Sequence, residues 1–390
     1  MRVTHVITRL IVGGAQENTI STVLGLRQRT DVQVQLISGP TAGPEGSLES
    51  NILQSPGLLA VLPELVRPIH PLKDFIALNK LTRMFWTNRP NIVHTHSGKA
   101  GILGRLAAAR ARVPVIIHTI HGPSFGQFQS APANFFFQAA ERRAGKVTSH
   151  FIVVADAMKQ QYLAAGIGTS ENYSKIFSGF DLSPFLAARN DPHQRARWGL
   201  KADDIVIGKI ARLFKLKGHD DLFAVAPELV RRCPNVKFLL VGDGEWRRRF
   251  ENLARSLKLE KSFIFTSLVP PSQLPELIGL MDIVVHLSRR EGLPRVLPQA
   301  LAAARPIVAY DCDGAREVCL DQQTGFLIRA GDLSSLTQAI LRLAGDAELR
   351  RQFGERGQSF VRDNFGVEQM VENIYLLYRK LADQHGLQIT

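Results

Sequence analysis

Short apolar runs rich in β-branched residues recur along this chain and alternate with segments of helical periodicity. Six predicted strands fall in the first half, at residues 3–8, 32–37, 91–95, 114–120, 151–154 and 175–177. Six more follow at residues 205–211, 236–241, 263–266, 283–287, 306–309 and 325–328. Strands that alternate with helices form parallel sheets covered by helices on both faces. Two such sets predict an α/β fold with two doubly wound, Rossmann-like domains.

The regular pattern breaks between the two sets of strands. The break begins with a Ser-Gly-Phe-Asp sequence at residues 178–181 and continues through Pro184. We therefore predict a first domain at residues 1–182 and a second at residues 183–365. An amphipathic segment near the end of the chain belongs to neither set of strands, so we expect a separate terminal helix within residues 366–390.

Composition excludes several classes of protein. The 390 residues include 31 Gly and 20 Pro, which is ordinary usage for a globular chain and not that of collagen or a disordered protein. No run approaches the roughly 18 consecutive apolar residues of a membrane-spanning helix. We interpret the N-terminus as a first strand and not as a signal peptide. The three cysteines form no CxxC pair, which suits a cytoplasmic protein.

The net charge of +13 is unevenly distributed. No acidic residue occurs between Asp74 and Glu141, whereas seven Lys and Arg residues do. Such a surface attracts phosphate groups, whether these belong to nucleic acid, to anionic lipid or to a small ligand. Composition alone does not choose among the three.

In doubly wound sheets the ligand lies beyond the carboxyl ends of the strands, so the loops there are the candidate sites. Gly13-Gly14 follows the first strand and precedes a helix predicted to open at Gln16, where backbone N–H groups suit an anion; a tight turn is the alternative. Arg212 and Lys217 follow the first strand of the second half and suit a diphosphate. Solvated loop charge is the alternative for this pair.

The richest loop runs from residue 288 to residue 300. Glu291 and Gly292 follow a predicted strand, and Pro294 is placed to open a helix. In such a helix Gln299 would lie roughly 7–8 Å further along the axis, so one ligand could touch both Glu291 and Gln299. Core packing is the alternative interpretation of this string.

Histidines end two predicted strands of the first half, as His94-Thr95-His96 and as His118 with His121. Zinc is not indicated, because metal-ligand spacing is not met and no Cys or carboxylate lies near either pair in sequence. A polar role beside a substrate and satisfied buried histidines remain as alternatives. The string Asp311-Cys312-Asp313 suggests a metal site, although a turn is commoner.

Taken together, these strings resemble the retaining glycosyltransferases of family four, which adopt the GT-B fold of two Rossmann-like domains facing a central cleft. Eight motifs match in order, and they lie at residues 13–18, 94–101, 118–122, 178–181, 212–218, 241–244, 291–294 and 313–317. The two histidine motifs are most similar to those of bacterial exopolysaccharide enzymes.

The resemblance implies an enzyme that moves a hexose from a nucleotide-sugar, with a UDP-sugar favoured, to a saccharide or lipid-linked saccharide acceptor in cell-surface polysaccharide biosynthesis. It implies retention of configuration, no cofactor and no metal, with the leaving phosphate helping to deprotonate the acceptor. It assigns catalytic roles to Arg212, Lys217, Glu291 and His121. The implied donor-binding residues are Gly14, Gly242, Gly292, Leu293 and Gln299. The implied acceptor-side residues are His96 and His118, and the last helix would return to the first domain.

One residue departs from the family pattern. The usual motif has a second Glu where this chain has Gln299. An amide oxygen still accepts a hydrogen bond from a ribose hydroxyl, but the charge-assisted part, about 1 kcal/mol, is lost. We expect weaker nucleotide binding with the chemistry intact. A non-catalytic nucleotide-sugar binder and a nucleotide-sugar epimerase or hydrolase are the alternative functions.

The resemblance suggests a role for the basic segment between Asp74 and Glu141. Leu78, Leu81 and Phe85 share one helical stripe, with Lys80, Arg83 and Trp86 nearby. We expect either docking on an anionic membrane surface that presents a lipid-linked acceptor, or an ordinary amphipathic helix packed on a sheet. Docking would make the protein cytoplasmic but peripheral to the membrane. Nucleic acid is not expected as a partner, since no recognisable binding module is present.

Overall fold

The computed structural model describes residues 1–41, 46–126 and 129–387. The chain divides into two compact units. The first unit joins residues 1–180 to residues 365–390, of which 388–390 lie outside the described part, and the second unit is residues 181–364.

The described residues of the first unit build one sheet of seven strands. These are β1 (Arg2–Ile7), β2 (Gln33–Ser38), β3 (Leu59–Val61), β4 (Ile92–His96), β5 (Val115–Ile120), β6 (His150–Val153) and β7 (Tyr173–Lys175). Their order is β3-β2-β1-β4-β5-β6-β7, and every recorded pairing is parallel. Parallel strands need covered faces, which explains why β4 and β5 are buried along their whole length.

Helices cover both faces of this sheet. They are α1 (Gly14–Arg27), α2 (Ser50–Leu53), α3 (Pro71–Asn88), α4 (Gly98–Arg110), α5 (Ala131–Gly145), α6 (Asp156–Ala164) and, from the end of the chain, α15 (Val367–Gln384). Successive strand residues point to opposite faces, so Val6 packs with α3 and α4 while Val3 packs with α1 and α15. The end of the chain thus completes the core of the first unit.

The described residues of the second unit form a six-stranded sheet. Its strands are β8 (Ile205–Ile210), β9 (Val236–Val241), β10 (Phe263–Phe265), β11 (Ile283–His286), β12 (Ile307–Tyr310) and β13 (Gly325–Ile328), in the order β10-β9-β8-β11-β12-β13. Its helices are α7 (Ser183–Leu186), α8 (Pro192–Arg197), α9 (His219–Arg232), α10 (Arg247–Ser256), α11 (Leu274–Gly279), α12 (Val296–Ala302), α13 (Leu333–Gly345) and α14 (Ala347–Asn364). Stacked Phe223, Phe238 and Phe263 anchor its core.

The predicted fold class, two Rossmann-like parallel-sheet domains, is confirmed. All twelve predicted strands have a counterpart, although the one expected at residues 175–177 lies at Tyr173–Lys175. Strand β3 was not predicted, because three residues at the edge of a sheet are too short to show a period. Within the described residues, no helix is long and apolar enough to cross a bilayer.

The stripe of Leu81 and Phe85 lies on the packed side of helix α3, as the alternative of an ordinary amphipathic helix predicts. Leu81 and Phe85 are fully buried against the sheet, so this stripe is the packed face of an amphipathic helix. The exposed face carries other apolar side chains, Leu72, Phe75 and Trp86, each more than half exposed. Both faces of the helix are therefore partly apolar, which the single stripe in the sequence did not reveal.

One ion pair is sealed inside the first unit. Arg105 of α4 and Glu141 of α5 are both completely buried, with Nη2 and Oε2 2.6 Å apart. The Arg105 Nε–H also donates to the Gly101 carbonyl, and the other Glu141 oxygen accepts from Ser124. Because each charge is desolvated, removing one partner leaves the other uncompensated.

We therefore expect Glu141→Ala to lower the free energy of unfolding by about 3–5 kcal/mol, because Arg105 keeps its charge in a dry interior. Urea unfolding measures the loss, and hydrogen exchange of the α4 and α5 amides locates it. The matched control is Glu228→Ala, which breaks a solvent-exposed ion pair with Arg231 and should change stability little. Equal stability of the two variants would contradict the account.

Candidate active site

The loops after three neighbouring strands meet at one edge of the second sheet. Strand β8 lies between β9 and β11, which is the point where the strand order reverses. In doubly wound sheets a ligand binds in the crevice outside the carboxyl ends of the strands at such a switch point. Residues 211–218 follow β8, residues 287–295 follow β11, and residues 311–317 follow β12.

The loops after β8 and β11 are joined by close backbone contacts. The Arg289 N–H donates to the Leu216 carbonyl at 2.9 Å. Gly218, at φ +70°, lies so close to β11 that a Cβ there would sit 2.0 Å from the Leu287 oxygen. Only glycine can combine this positive φ with such a close approach to the Leu287 carbonyl. The turn before α9 is therefore held against the neighbouring strand.

Two of the predicted catalytic residues form an ion pair across this junction. Lys217 Nζ lies 2.5 Å from Glu291 Oε1, and each side chain is about one quarter exposed, at 23% and 25%. Burial alone would raise the pKa of Glu291, but the neighbouring His286, the positive charge of Lys217 and hydrogen bonds from Lys217 and Ser288 outweigh it and lower the pKa. Glu291 is therefore an ionised acceptor with an accessible side.

Asp313 holds the backbone of this loop from the neighbouring strand. Its carboxylate accepts the Glu291 N–H at 2.6 Å, and the Gly314 N–H donates to the Gly292 carbonyl at 3.0 Å. Asp311 instead pairs with Arg316. The Asp-Cys-Asp string thus leads into a short 3₁₀ turn at Asp313–Glu317, which agrees with the interpretation of this string as a turn. Both carboxylates already have protein partners.

The other predicted catalytic cation of the β8 loop, Arg212, is more accessible. Arg212 is exposed, and its guanidinium lies 5.9 Å from the centroid of the Phe214 ring. Gly242, at the end of β9, has φ +131°, and a Cβ there would sit 2.4 Å from the Ala211 oxygen. This glycine thus packs against the start of the loop that carries Arg212.

The helix expected to open at Pro294 begins later. Helix α12 starts at Val296, and the first backbone bond from residue i to residue i−4 runs from the Gln299 N–H to the Arg295 carbonyl. Pro298 has no N–H to donate to Pro294, so a helix cannot be closed from that residue. Leu293 consequently lies in the connecting turn, and Gln299 lies in the first turn of α12 instead of further along it.

Gln299 is half-buried near the start of α12. Its side-chain amide makes no hydrogen bond to any other residue that the structure describes. The group that replaces the family's second Glu is therefore available to a ligand.

Two buried groups beneath the ion pair were not predicted. His286 Nε2 lies 3.9 Å from Glu291 Oε1, and burial lowers the pKa of this imidazole to about 3. Lys209 of β8 is also buried, and burial followed by the charge of Lys217 lowers its pKa to about 7. Neither belongs to a motif, since each is a single polar residue within an apolar strand.

In the first unit, helix α1 begins at Gly14, two residues before the predicted start, with Gly13 in extended backbone at its N-terminus. Gly14 is exposed, and the Glu17 N–H donates to the Gly13 carbonyl. Gly14 and Ala15 thus extend the helix beyond its predicted start, because glycine imposes no steric limit at that position.

The histidines that end β4 and β5 occupy different environments. His96 and His118 are fully buried, which agrees with the interpretation that these histidines are buried and hydrogen-bonded within the protein. His96 is hydrogen-bonded to His5 and His121, and His118 Nδ1 lies 2.9 Å from the Thr95 hydroxyl. His121 alone of these predicted site residues is half-buried, so it can present an edge to a ligand.

Comparison with known families agrees with this arrangement. Residues 13–172 match the glycosyl transferase 4-like domain, and residues 190–360 match the glycosyl transferases group 1. The chain belongs to the family-four glycosyltransferases of the GT-B fold. The resemblance stated from its motifs is confirmed, and the protein is a glycosyltransferase.

Relatives cover about four fifths of the chain, and a solved structure covers nearly all of it. It is 27% identical over 321 residues to the UDP-Gal:alpha-D-GlcNAc-diphosphoundecaprenol alpha-1,3-galactosyltransferase of Escherichia coli, covering 81% of this chain and 82% of that enzyme. It is 23% identical to the capsular polysaccharide biosynthesis glycosyltransferase CapM of Staphylococcus aureus, covering 82% and 84%. HepE of Anabaena, solved in complex with UDP, superimposes with a TM-score of 0.82 at 21% identity and covers 97% of this chain and 100% of that one.

Proposed function

We propose that this glycosyltransferase moves a hexose, with retention of configuration, from a UDP-sugar to a lipid-linked saccharide in cell-surface polysaccharide biosynthesis. The observation that carries the proposal is the Lys217–Glu291 pair at the switch point, next to the loop position of Arg212. The E. coli relative supports the donor and acceptor classes, since its name states a UDP-sugar and a diphosphoundecaprenol-linked sugar.

The two cations serve the leaving group in this proposal. When the bond from sugar to diphosphate breaks, negative charge grows on the diphosphate oxygens, and fixed positive groups lower the energy of that state. Arg212 offers a planar fork of donors and Lys217 a point charge. Glu291, held ionised, accepts hydrogen bonds from sugar hydroxyls and keeps Lys217 oriented.

Retention follows if the acceptor attacks the face from which the diphosphate leaves, and the departing phosphate then takes the acceptor's proton. The charge of the diphosphate is balanced by Arg212 and Lys217, so we propose that no metal is required. The pairing of both Asp311 oxygens with Arg316 supports this, because that carboxylate already has a cationic partner.

The test is an assay with UDP-glucose, UDP-galactose and UDP-N-acetylglucosamine in the presence of an undecaprenyl diphosphate-linked sugar, with and without EDTA. We expect one donor to be transferred, an α-linkage in the product by nuclear magnetic resonance, and no effect of EDTA. Donor binding without transfer would favour a non-catalytic binder, a role to which Gln299 points. Donor turnover without acceptor would favour an epimerase or hydrolase.

Arg212→Ala and Lys217→Ala should each lower kcat/KM at least about tenfold, because a charge-assisted contact made in the transition state is worth roughly 1.5–3 kcal/mol. UDP release in the transferase assay measures the loss. Lys215→Ala is the matched control, since this exposed lysine of the same loop has no assigned role. Turnover near that of the unmodified enzyme in both variants would refute the assignment.

Gln299→Glu should lower the KM for the donor about fivefold while kcat stays nearly constant, because the carboxylate restores about 1 kcal/mol of charge-assisted binding to the ribose. Steady-state kinetics with varied donor separates the two constants. Gln194→Glu, a change of the same type on α8 of the same unit, serves as the control, because its side-chain oxygen accepts from Arg197 and a carboxylate keeps that contact. A fall in kcat with unchanged KM would contradict the interpretation.

We also propose that the exposed face of α3 docks on an anionic membrane that presents the acceptor. Leu72, Phe75 and Trp86 supply exposed apolar surface, and Lys73 and Arg83 on the same helix are exposed cations. Apolar side chains that enter the headgroup region beside cations that attract anionic lipid are typical of interfacial helices.

The double variant Phe75→Ser/Trp86→Ser should therefore lose at least about tenfold in affinity for phosphatidylglycerol vesicles, because it removes two large apolar side chains that docking would bury in the headgroup region. Co-sedimentation measures binding, and phosphatidylcholine vesicles should bind weakly. Leu268→Ser, which removes an even more exposed apolar side chain from the second unit, is the control. Equal binding by both variants would rule out this face as the docking surface.

A further inference from the structure

A continuous line of hydrogen bonds crosses the interior of the first unit and ends at His121. Its members, in order, are Thr119, His94, Tyr378, His5, His96 and His121. The Thr119 hydroxyl lies 2.6 Å from His94 Nε2, and His94 Nδ1 bonds to the Tyr378 hydroxyl. Tyr378 is 3.3 Å from His5 Nε2, His5 Nδ1 is 2.9 Å from His96 Nε2, and His96 Nδ1 is 3.1 Å from His121 Nε2.

Each imidazole in this line is neutral. Burial lowers the pKa of His5 to about 3 and that of His121 to about 4, and it lowers the pKa values of His94 and His96 as well. A neutral imidazole has one N–H donor and one acceptor nitrogen. The direction of a single hydrogen bond therefore fixes the tautomer of every ring in the line.

Thr119 sets that direction. Its hydroxyl is buried and, among residues that the structure describes, has His94 Nε2 as its side-chain partner and no other. A buried hydroxyl proton without an acceptor is costly, so Thr119 donates and His94 Nε2 accepts. The proton of His94 is then on Nδ1, where it can be donated to Tyr378.

The remaining bonds follow one by one. Tyr378, having accepted from His94, donates its own proton to His5 Nε2. His5 then donates from Nδ1 to His96 Nε2, and His96 donates from Nδ1 to His121 Nε2. The acceptor nitrogen of His121 is thus occupied, and its single proton lies on Nδ1.

We propose that Thr119, His94, Tyr378, His5 and His96 are positioning residues that fix His121 as its Nδ1–H tautomer and so present a hydrogen-bond donor to the bound sugar. Nδ1 of His121 has no hydrogen-bond partner within the described residues, and the ring is half-buried. The inference about the sugar rests on the proposed function. The tautomer itself does not.

This arrangement assigns His121 a specific role. With Nε2 engaged by His96 and a proton on Nδ1, His121 has no free lone pair with which to remove a proton from the acceptor hydroxyl. It acts as a donor to an oxygen of the sugar. Removal of the acceptor proton then falls to the departing phosphate, in agreement with the proposed retention.

The same histidine cluster could instead bind a metal ion, and the experiment must distinguish metal binding from the hydrogen-bonded line. Ligand nitrogens of His5, His94 and His96 lie within 4.8 Å of one another, as in a metal site. The His5 and His96 nitrogens that face each other already share one proton, and His94 is bonded at both ring nitrogens. A transition metal would have to break this line of bonds.

The tautomers are measured on the intact protein with ¹⁵N-labelled histidine, by long-range ¹H–¹⁵N correlation spectra. We expect His121, His96 and His5 to be neutral with the proton on Nδ1. Tyr378→Phe keeps the ring but removes the link, so His121 should become a mixture of both tautomers. Thr119→Val, at the far end of the line, should do the same.

Tyr173→Phe is the matched control, since it removes one buried hydroxyl that donates to the Ile167 carbonyl outside the line, and it should leave the His121 signals unchanged. A charged or Nε2–H form of His121 in the unmodified protein would overturn the proposal. Unchanged His121 signals in Tyr378→Phe would also overturn it, as would stoichiometric zinc bound to His5, His94 and His96.

Kinetics test the role of the donor separately. Tyr378→Phe should lower kcat/KM in proportion to the fraction of His121 that leaves the Nδ1–H form, which is about twofold for an equal mixture, and Tyr173→Phe should not. In a His121→Ala background, Tyr378→Phe should have no further effect, because it acts through His121. An equal loss in both backgrounds would contradict positioning. Because the spectra need no substrate, the tautomer is tested even if no sugar is transferred.

Discussion

Parallel pairing of β8 with β11, and of β11 with β12, is the constraint on which the candidate active site depends. Parallel strands end at the same edge of a sheet, so the loops that follow them meet there whatever their separation in sequence. Lys217 and Glu291 are 74 residues apart and form an ion pair, and Asp313 reaches the Glu291 backbone from the next strand. Gly218 makes this close approach of the two loops possible.

The first unit uses the same geometry and adds a helix from the far end of the chain. Helix α15 buries Met370, Ile374 and Leu377 against the sheet, and this packing brings the Tyr378 hydroxyl between His5 and His94. The line of imidazoles depends on that hydroxyl, because His5 and His94 are connected through it. The terminal helix thus contributes both to the core and to the environment of His121.

The fold could be predicted because buried parallel strands leave continuous apolar runs in the sequence, and only the three-residue edge strand β3 escaped. Motif residues such as Arg212, Lys217 and Glu291, whose roles stay predictions, could be placed at the edge of the sheet because each follows such a run. His5 and Tyr378 could not, since His94 and Tyr378 are 284 residues apart and only tertiary packing joins them. The start of α12 was misplaced because Pro294 favours a helix start, whereas Pro298 prevents the first turn from closing there.

We have proposed that the loops around Lys217 and Glu291 bind the diphosphate of a uridine nucleotide without a metal. Thermal unfolding with saturating UDP, GDP or ADP, each with and without EDTA, tests it most directly. At about 100 times its Kd a ligand adds roughly 2.7 kcal/mol to the free energy of unfolding, which raises Tm measurably. We expect UDP to raise Tm selectively and EDTA to leave the shift intact. A shift that EDTA abolishes, or no shift with UDP, would contradict it.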